Sequence, residues 1–195
     1  VEPISNILNS KKEYKTSITD PIHVDWIKSD IGEGRGMIGI TYAPGKKVHA
    51  LNEDSWERNV EIDLDRLKAY YKTNVLVSLL SDDELRILKI PTLSTEANKR
   101  QIALFRSPIT NGSVPTLEQT NLISQIALGL CNAGQRVIVH CSCGLGRSGT
   151  VVACILTHLG YSSSDAIALS RAKRIGAIKM PEQEKFVHQY ASQYS

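Results

Sequence analysis

The sequence predicts an α/β domain with a central, mainly parallel sheet flanked by helices, and three observations carry that prediction. Short apolar runs bounded by turn residues alternate with longer stretches whose apolar residues recur at helical spacing. Two of the runs, VLVSLL (75–80) and RVIVHC (136–141), are continuous and β-rich, as strands covered on both faces are. Finally, 195 residues with 42% hydrophobic and 22% charged side chains suit one globular core.

The elements follow in chain order. Residues 1–20 are polar and irregular and are expected to form an N-terminal arm, leaving one domain over residues 21–195. Gly36–Pro44 (GMIGITYAP) reads as a strand that closes in a Pro-Gly turn. Trp56, Val60, Leu64, Leu67, Tyr70 and Tyr71 place a helix over 55–73. After the strand at 75–80, Ser81 or Asp82 caps a short helix. IALFRSPI (102–109) is a further strand, followed by the loop TNGSVP. Leu117, Leu122, Ile123, Ile126 and Leu130 mark a helix over 116–133 that Gly134 stops. RVIVHC then leads into a Gly-rich turn and the apolar helix TVVACILTHLG, with two more helical stretches at 163–174 and 181–194. There is no internal repeat.

Composition narrows the functional classes. The net charge is only +3, from 23 basic and 20 acidic residues, so it favours an anionic partner weakly and lacks the basic stripe of a nucleic-acid binder. No apolar run approaches the roughly 18 residues of a membrane span, and the N-terminus has no apolar signal core. Cysteines at 131, 141, 143 and 154 make no disulfide framework and read as thiols in a reducing compartment. A cytoplasmic monomer without metal or cofactor, binding neither nucleic acid nor membrane, is the expectation.

The chemistry concentrates in Val139-His140-Cys141-Ser142-Cys143-Gly144-Leu145-Gly146-Arg147-Ser148-Gly149. A buried strand delivers a cysteine, five loop residues follow, an arginine closes the turn and a helix begins. Backbone N–H groups of such a turn, at a helix N-terminus, converge on an anion. Gly144 and Gly146 can adopt positive φ and let the backbone approach a ligand, with Ser142, Cys143 and Leu145 supplying further N–H groups. Arg147 can offer two parallel donors to two phosphate oxygens. Cys141 would lie beneath the phosphorus, where the same field keeps it a thiolate. Ser148 can give its hydroxyl to that thiolate when sulfur is the leaving group. The constellation predicts in-line attack and a cysteinyl-phosphate intermediate.

Rival readings are weaker. Gly144-x-Gly146-x-x-Gly149 spells a dinucleotide fingerprint, yet no second strand ending in an acidic residue follows about 20 residues on. His140, Cys141, Cys143, Cys154 and His158 could be read as zinc ligands, but N–H groups beside Arg147 would repel a cation. An inert cysteine in a Gly turn leaves Arg147 without a task.

HCSCGLGRSG resembles the loop of the protein tyrosine phosphatase superfamily, in its small dual-specificity branch. IHVDWI, GMIGITYAPGKK, PITNGSVPT and GAIKMPEQEKF extend the likeness to kinase-associated phosphatases and similar compact archaeal and bacterial enzymes, over roughly residues 20–190. The resemblance implies a cysteine phosphatase fold with Cys141 as nucleophile, Arg147 as phosphate clamp and Ser148 as hydroxyl partner. It also implies that His140 supports the loop, unless it simply ends a strand in the core. Gln183 matches a glutamine that helps to place the hydrolytic water. A phosphorylated protein, a protein kinase among the candidates, is the implied partner.

Two positions depart from the family pattern. The loop that carries an aspartic acid in these enzymes reads Pro108-Ile109-Thr110-Asn111-Gly112-Ser113, with Asn111 at the general-acid position and no Asp in residues 107–118. Loss of such an acid typically costs about 10²- to 10⁴-fold. An engineered substrate-trapping variant, a substitute acid among Asp82, Asp83 and Glu84, and a phosphoprotein-binding pseudophosphatase are the three explanations, with Asp83 standing for the second. The SDDE cluster also reads as acids on a helix N-terminus. Cys143 reads either as a small loop residue or, with Cys154, as a disulfide partner protecting Cys141.

Substrate class follows by exclusion. The deep-pocket Lys-Asn-Arg-Tyr run of tyrosine-selective relatives is absent, and the loop lacks the lysines of lipid phosphatases. Lys173 and Arg174 read as a solvated helix face. Phosphotyrosine, with phosphoserine and phosphothreonine as a further class, is the expected substrate.

Overall fold

The computed structural model of the chain describes residues 14–49 and 55–194. The chain enters through β1 (Tyr14–Lys15), makes the pair β2 (Asp25–Ile31) and β3 (Gly36–Thr41), and continues through β4 (Lys47–Val48) and β5 (Ser55–Glu57) into α1 (Val60–Ala69). Next come β6 (Val75–Ser78), α2 (Asp82–Ile87), α3 (Leu93–Lys99) and β7 (Ala103–Arg106). The chain closes with α4 (Leu117–Asn132), β8 (Arg136–His140), α5 (Gly146–Thr157), α6 (Ser163–Lys173) and α7 (Pro181–Tyr194).

Five strands form the main sheet in the order β2-β3-β8-β6-β7, parallel except for β2 against β3. The expected mainly parallel sheet flanked by helices is therefore what the chain builds. Period-2 alternation in β6 and β8 divides their side chains between two cores. Val75, Val77, Val137 and Val139 join one, with residues of α5 and α7; Leu76 and Ile138 join the other, with Leu64 and Leu67 of α1. Each such buried aliphatic side chain contributes about 1.5–3 kcal/mol. Because β8 lies mid-sheet, its carboxyl end opens into the crevice where ligands of parallel sheets bind.

Local chemistry sets the helix ends. Asn59 accepts from the N–H groups of Glu61 and Ile62 to start α1, and Thr116 accepts from Gln119 N–H to start α4. Ser81 caps α2 in a reciprocal box with Glu84. Gly134, at φ +81°, ends α4 as expected.

Several boundaries differ from expectation. Residues 55–57 are a strand rather than the start of a helix: Trp56 pairs within a small β1-β5-β4 sheet, its ring under the ammonium groups of Lys15 and Lys46. The helix waits for its Asn59 cap and ends by Ala69. The strand beginning at Gly36 stops at Thr41, and Tyr42–Pro44 continue as buried loop. The expected arm is described only from Tyr14 onward; that part pairs with β5, and Asp20 O accepts from Arg58 Nη1 at 2.7 Å. Residues 1–13 lie outside the described residues. Arg58 is itself fully buried and held by both oxygens of Asp63 at 2.8 Å. Among the described residues no helix is long and apolar enough to cross a membrane, and no cluster of His, Cys, Asp and Glu could hold a metal.

Candidate active site

The loop between β8 and α5 folds back on itself because its neighbours leave it no other course. Gly144 sits at φ +66°, and a Cβ there would stand 2.3 Å from Thr41 O, so only glycine fits. Gly146 does not use its freedom to take positive φ and opens α5 in ordinary backbone; its lack of a side chain accommodates Gln183, whose Nε2 would lie 2.6 Å from a Cβ. The N-cap residue Leu145 offers α5 no side-chain acceptor, so the first-turn N–H groups ahead of Ser148 suit an anion.

Cys141 is buried at the base of this loop, its Sγ 3.5 Å from Ser148 Oγ. Burial alone would raise its thiol pKa. Hydrogen bonds from the Ser148 hydroxyl and N–H, then the Arg147 charge and the Leu145 N–H, outweigh burial and hold the thiol below its ordinary value. The other buried cysteines behave oppositely: burial pushes Cys131 up to about 12 and Cys154 well up. Cys143 is exposed at the cavity rim, and all four cysteines are free thiols. His140 is fully buried, with Nδ1 3.3 Å from Cys141 O and Nε2 without a hydrogen-bond partner among the described residues. Burial, reinforced by Arg147 and partly opposed by its Cys141 contact, lowers its pKa to about 4, so it is neutral.

Arg147 is almost wholly buried. Its two Nη nitrogens grip Glu84 end-on at 2.9 and 2.7 Å, and Nη1 also donates to Ile109 O at 2.8 Å. Among the described residues, those bonds leave the Nε–H and second Nη2–H, the side-on fork, without a carboxylate or carbonyl partner. Burial works against the Glu84 anion, but the hydrogen bond and charge of Arg147 together with the Ser81 cap depress its pKa.

Asn111, Gly112, Ser142, Cys143, Leu145, Gly146 and Gln183 line a cavity of about 240 Å³ that also contains Cys141 and Arg147, with Lys179 and Met180 at one side. The structure thus gathers the nucleophile candidate, the clamp candidate and the general-acid position around one space. Asp83 is not among them: it is exposed and pairs with Arg86, while Asp82 pairs with Arg106. No carboxylate is among the residues lining the cavity. Two features escaped sequence reasoning. Ser81-x-x-Glu84 announces a capping box, but nothing in it announces the grip on Arg147, 63 residues away. Arg174, expected on a solvated face, reaches the loop instead.

The sheet, the loop and its arginine define the class: this is a cysteine-dependent protein phosphatase fold of the tyrosine and dual-specificity type. A crystal structure of kinase associated phosphatase, with serine in place of its catalytic-site cysteine, matches at a TM-score of 0.77 and 25% identity, covering 88% of this chain and 95% of that one. Tk-PTP in its active form matches at a TM-score of 0.68 and 26% identity, covering 87% and 97%. Residues 3–172 match the family model for cyclin-dependent kinase inhibitor 3, and the chain belongs to that family. The rat protein of that name is 26% identical over 186 residues, covering 93% of this chain and 84% of the relative. The chain is a protein phosphatase.

Proposed function

We propose that this phosphatase acts through a cysteinyl-phosphate intermediate on phosphoproteins, with aryl phosphate, that is phosphotyrosine, as its competent substrate. The observation that carries this is the Cys141 sulfur, held below its ordinary thiol pKa beside Ser148, Leu145 and Arg147 at the floor of the cavity. The dianionic phosphoryl group sits on the open N–H groups of the loop, two of its oxygens on the side-on fork of Arg147. The thiolate attacks phosphorus in line; the S–P bond forms as the P–O bond to the leaving group breaks. Water then attacks the intermediate, Gln183 orienting it, and the sulfur leaves as a thiolate that accepts a hydrogen bond from Ser148.

Asn111 sets the substrate limit. It lines the cavity, on the loop where the family resemblance puts the proton donor, and an amide carries no titrating proton. Glu84 is held ionised by Arg147 and is a poor substitute. A phenolate, with a conjugate acid near 10, leaves tolerably unaided; an alkoxide does not. Partners are accordingly phosphorylated proteins, and the name of the relative kinase associated phosphatase makes a phosphorylated kinase the first to try.

Phosphate release from matched phosphotyrosine and phosphothreonine peptides tests this, with Cys141→Ser as control. Release from the tyrosine peptide only, abolished in Cys141→Ser, is expected. Brisk release from the threonine peptide overturns the aryl limit. Binding without release from either supports the alternative of a phosphoprotein-holding pseudophosphatase, which the absent cavity carboxylate also favours.

A further inference from the structure

The cradle's N–H groups point inward only if the carbonyls of the same peptides point outward, because C=O and N–H are antiparallel across a planar trans peptide. Something must therefore hold the outward carbonyls. Ser142 O accepts from Ala43 N–H at 3.2 Å and from Lys46 Nζ at 3.5 Å. The next two carbonyls belong to one side chain: Arg174 Nη2 donates to Cys143 O at 3.1 Å, and its Nε to Gly144 O at 3.0 Å. Its third nitrogen, Nη1, donates to Asp25 Oδ2 at 2.7 Å, and Asp25 Oδ1 is 2.9 Å from His23 Nε2.

Arg174 reaches this place because α6 ends one residue earlier. Its backbone is extended, at φ −125° and ψ 92°, which swings the side chain off the helix and toward the loop. Both partners of the ion pair are largely buried, with Arg174 at 15% and Asp25 at 20% side-chain exposure, so the brace is shielded rather than a loose surface contact. Arg174 does not line the cavity. The peptide whose carbonyl its Nε holds carries the Leu145 N–H, one of the groups acting on the Cys141 sulfur.

We propose that Arg174, fixed by Asp25, is a positioning residue of the phosphatase site, acting on phosphate and on the Cys141 sulfur through the 143–144 and 144–145 peptides. The inference rests on the reading of Cys141 as nucleophile. Arg174 supplies three donors in a fixed fork that no other side chain reproduces: two for successive carbonyls and one for its anchor. Without it, the Gly144 backbone, free to adopt either sign of φ, can rotate its N–H and that of Leu145 away from the site.

The test compares Arg174→Met, Arg174→Lys and Asp25→Asn with the parent chain. Three quantities are read: the pH midpoint of Cys141 alkylation by iodoacetamide, followed by mass spectrometry; the affinity for tungstate, a tetrahedral oxyanion; and kcat and KM for p-nitrophenyl phosphate. Arg147 faces the sulfur in every variant, so its charge is constant across the series. Arg174→Met is expected to raise the midpoint by about one pH unit and weaken tungstate about tenfold, with kcat falling more than KM rises. Arg174→Lys recovers part of each change, since an ammonium can meet carbonyls but cannot span to Asp25 as well. Asp25→Asn moves all three quantities in the same direction by less.

A folded Arg174→Met with the parent midpoint and tungstate affinity overturns the proposal. Should that variant fail to fold, parent-like values in both Arg174→Lys and Asp25→Asn overturn it equally. Alkylation and tungstate binding need no turnover, so they judge the brace separately from the phosphatase reading. A parent chain that binds tungstate yet releases no phosphate defeats only the latter.

Discussion

Glu84 holds Arg147 end-on with both carboxylate oxygens, and in doing so selects which edge of the guanidinium faces the cavity. The carboxylate is in turn fixed by Ser81, whose N–H donates to Glu84 Oε2 at 3.1 Å. Clamp orientation therefore depends on a helix cap in another part of the chain.

Glu84→Gln keeps the shape and removes the charge. It is expected to lower kcat/KM by about 10- to 100-fold and to destabilise the fold by about 1–3 kcal/mol, because a buried guanidinium loses its counter-ion. Were Glu84 the proton donor instead, the basic limb of the pH–rate profile would vanish with little change in the melt. A pH–rate series and a thermal melt on the same variant separate the two.

Asn111→Asp restores a titrating group at the cavity rim. Hydrolysis of phosphothreonine peptides should rise by about 10²- to 10⁴-fold, with a smaller gain for p-nitrophenyl phosphate, whose leaving group needs little help. The variant's profile should become bell-shaped. Equal rates for alkyl substrates in both chains would place the proton source elsewhere.

Ser148 provides the first of the contributions that hold the Cys141 thiol down against burial. Reactivity needs the thiolate, so it is full above the depressed pKa and falls as pH drops through it. The same depression contributes stability that is present above the unfolded thiol value and lost as pH falls through the folded one. Ser148→Ala removes a lowering contribution, so the acid limb of both alkylation and kcat/KM should move to higher pH. An unmoved limb would take Ser148 out of the thiolate's support.

Arg58 and Asp63 form the most enclosed ion pair among the described residues, at 0% and 1% side-chain exposure. Asp63→Asn leaves a buried cation half-paired and should cost about 3–5 kcal/mol, which lowers the melting temperature by roughly 6–20 °C in a domain of this size. Replacing both, as Arg58→Met with Asp63→Leu, should recover part of the loss. Differential scanning fluorimetry of the single and double variants tells whether the penalty lies in the unpaired charge or in packing.

What was legible in the sequence was what the chain does locally. VLVS and RVIVH are apolar on both faces, and Cys141 through Ser148 close on themselves within eight residues, so pattern and spacing reveal them. Strand β2, DWIKSDI, hides because its polar residues break the alternation and two register shifts interrupt its pairing with β3. Helix α3, LSTEANK, buries only Leu93 and Ala97 as apolar residues, too short a stripe to read as a helix. Trp56 fell on helical spacing by coincidence, while ladder pairing with Lys15 of β1 and Val48 of β4 makes it part of a strand. Glu84 and Arg174 were unreadable for the same reason: each meets its partner across 63 and 30 or more residues, through geometry that only the folded sheet supplies.

Those long reaches have a consequence for how the molecule comes into being. The seven-residue loop is steadied by Asp25 and Lys46 from the first quarter of the chain, Glu84 and Ile109 from the middle, and Arg174 from the last stretch. A nascent polypeptide that has emerged only as far as Cys141 lacks the Ser148, Arg147 and Leu145 groups that hold the thiol down, for they have not yet left the ribosome. Chemical reactivity is thus a property acquired at maturation. A proteolytic nick that releases the last two helices would take Arg174 from the loop and, with it, Ile167, Phe186 and Tyr190 from the core that packs on β6 and β8.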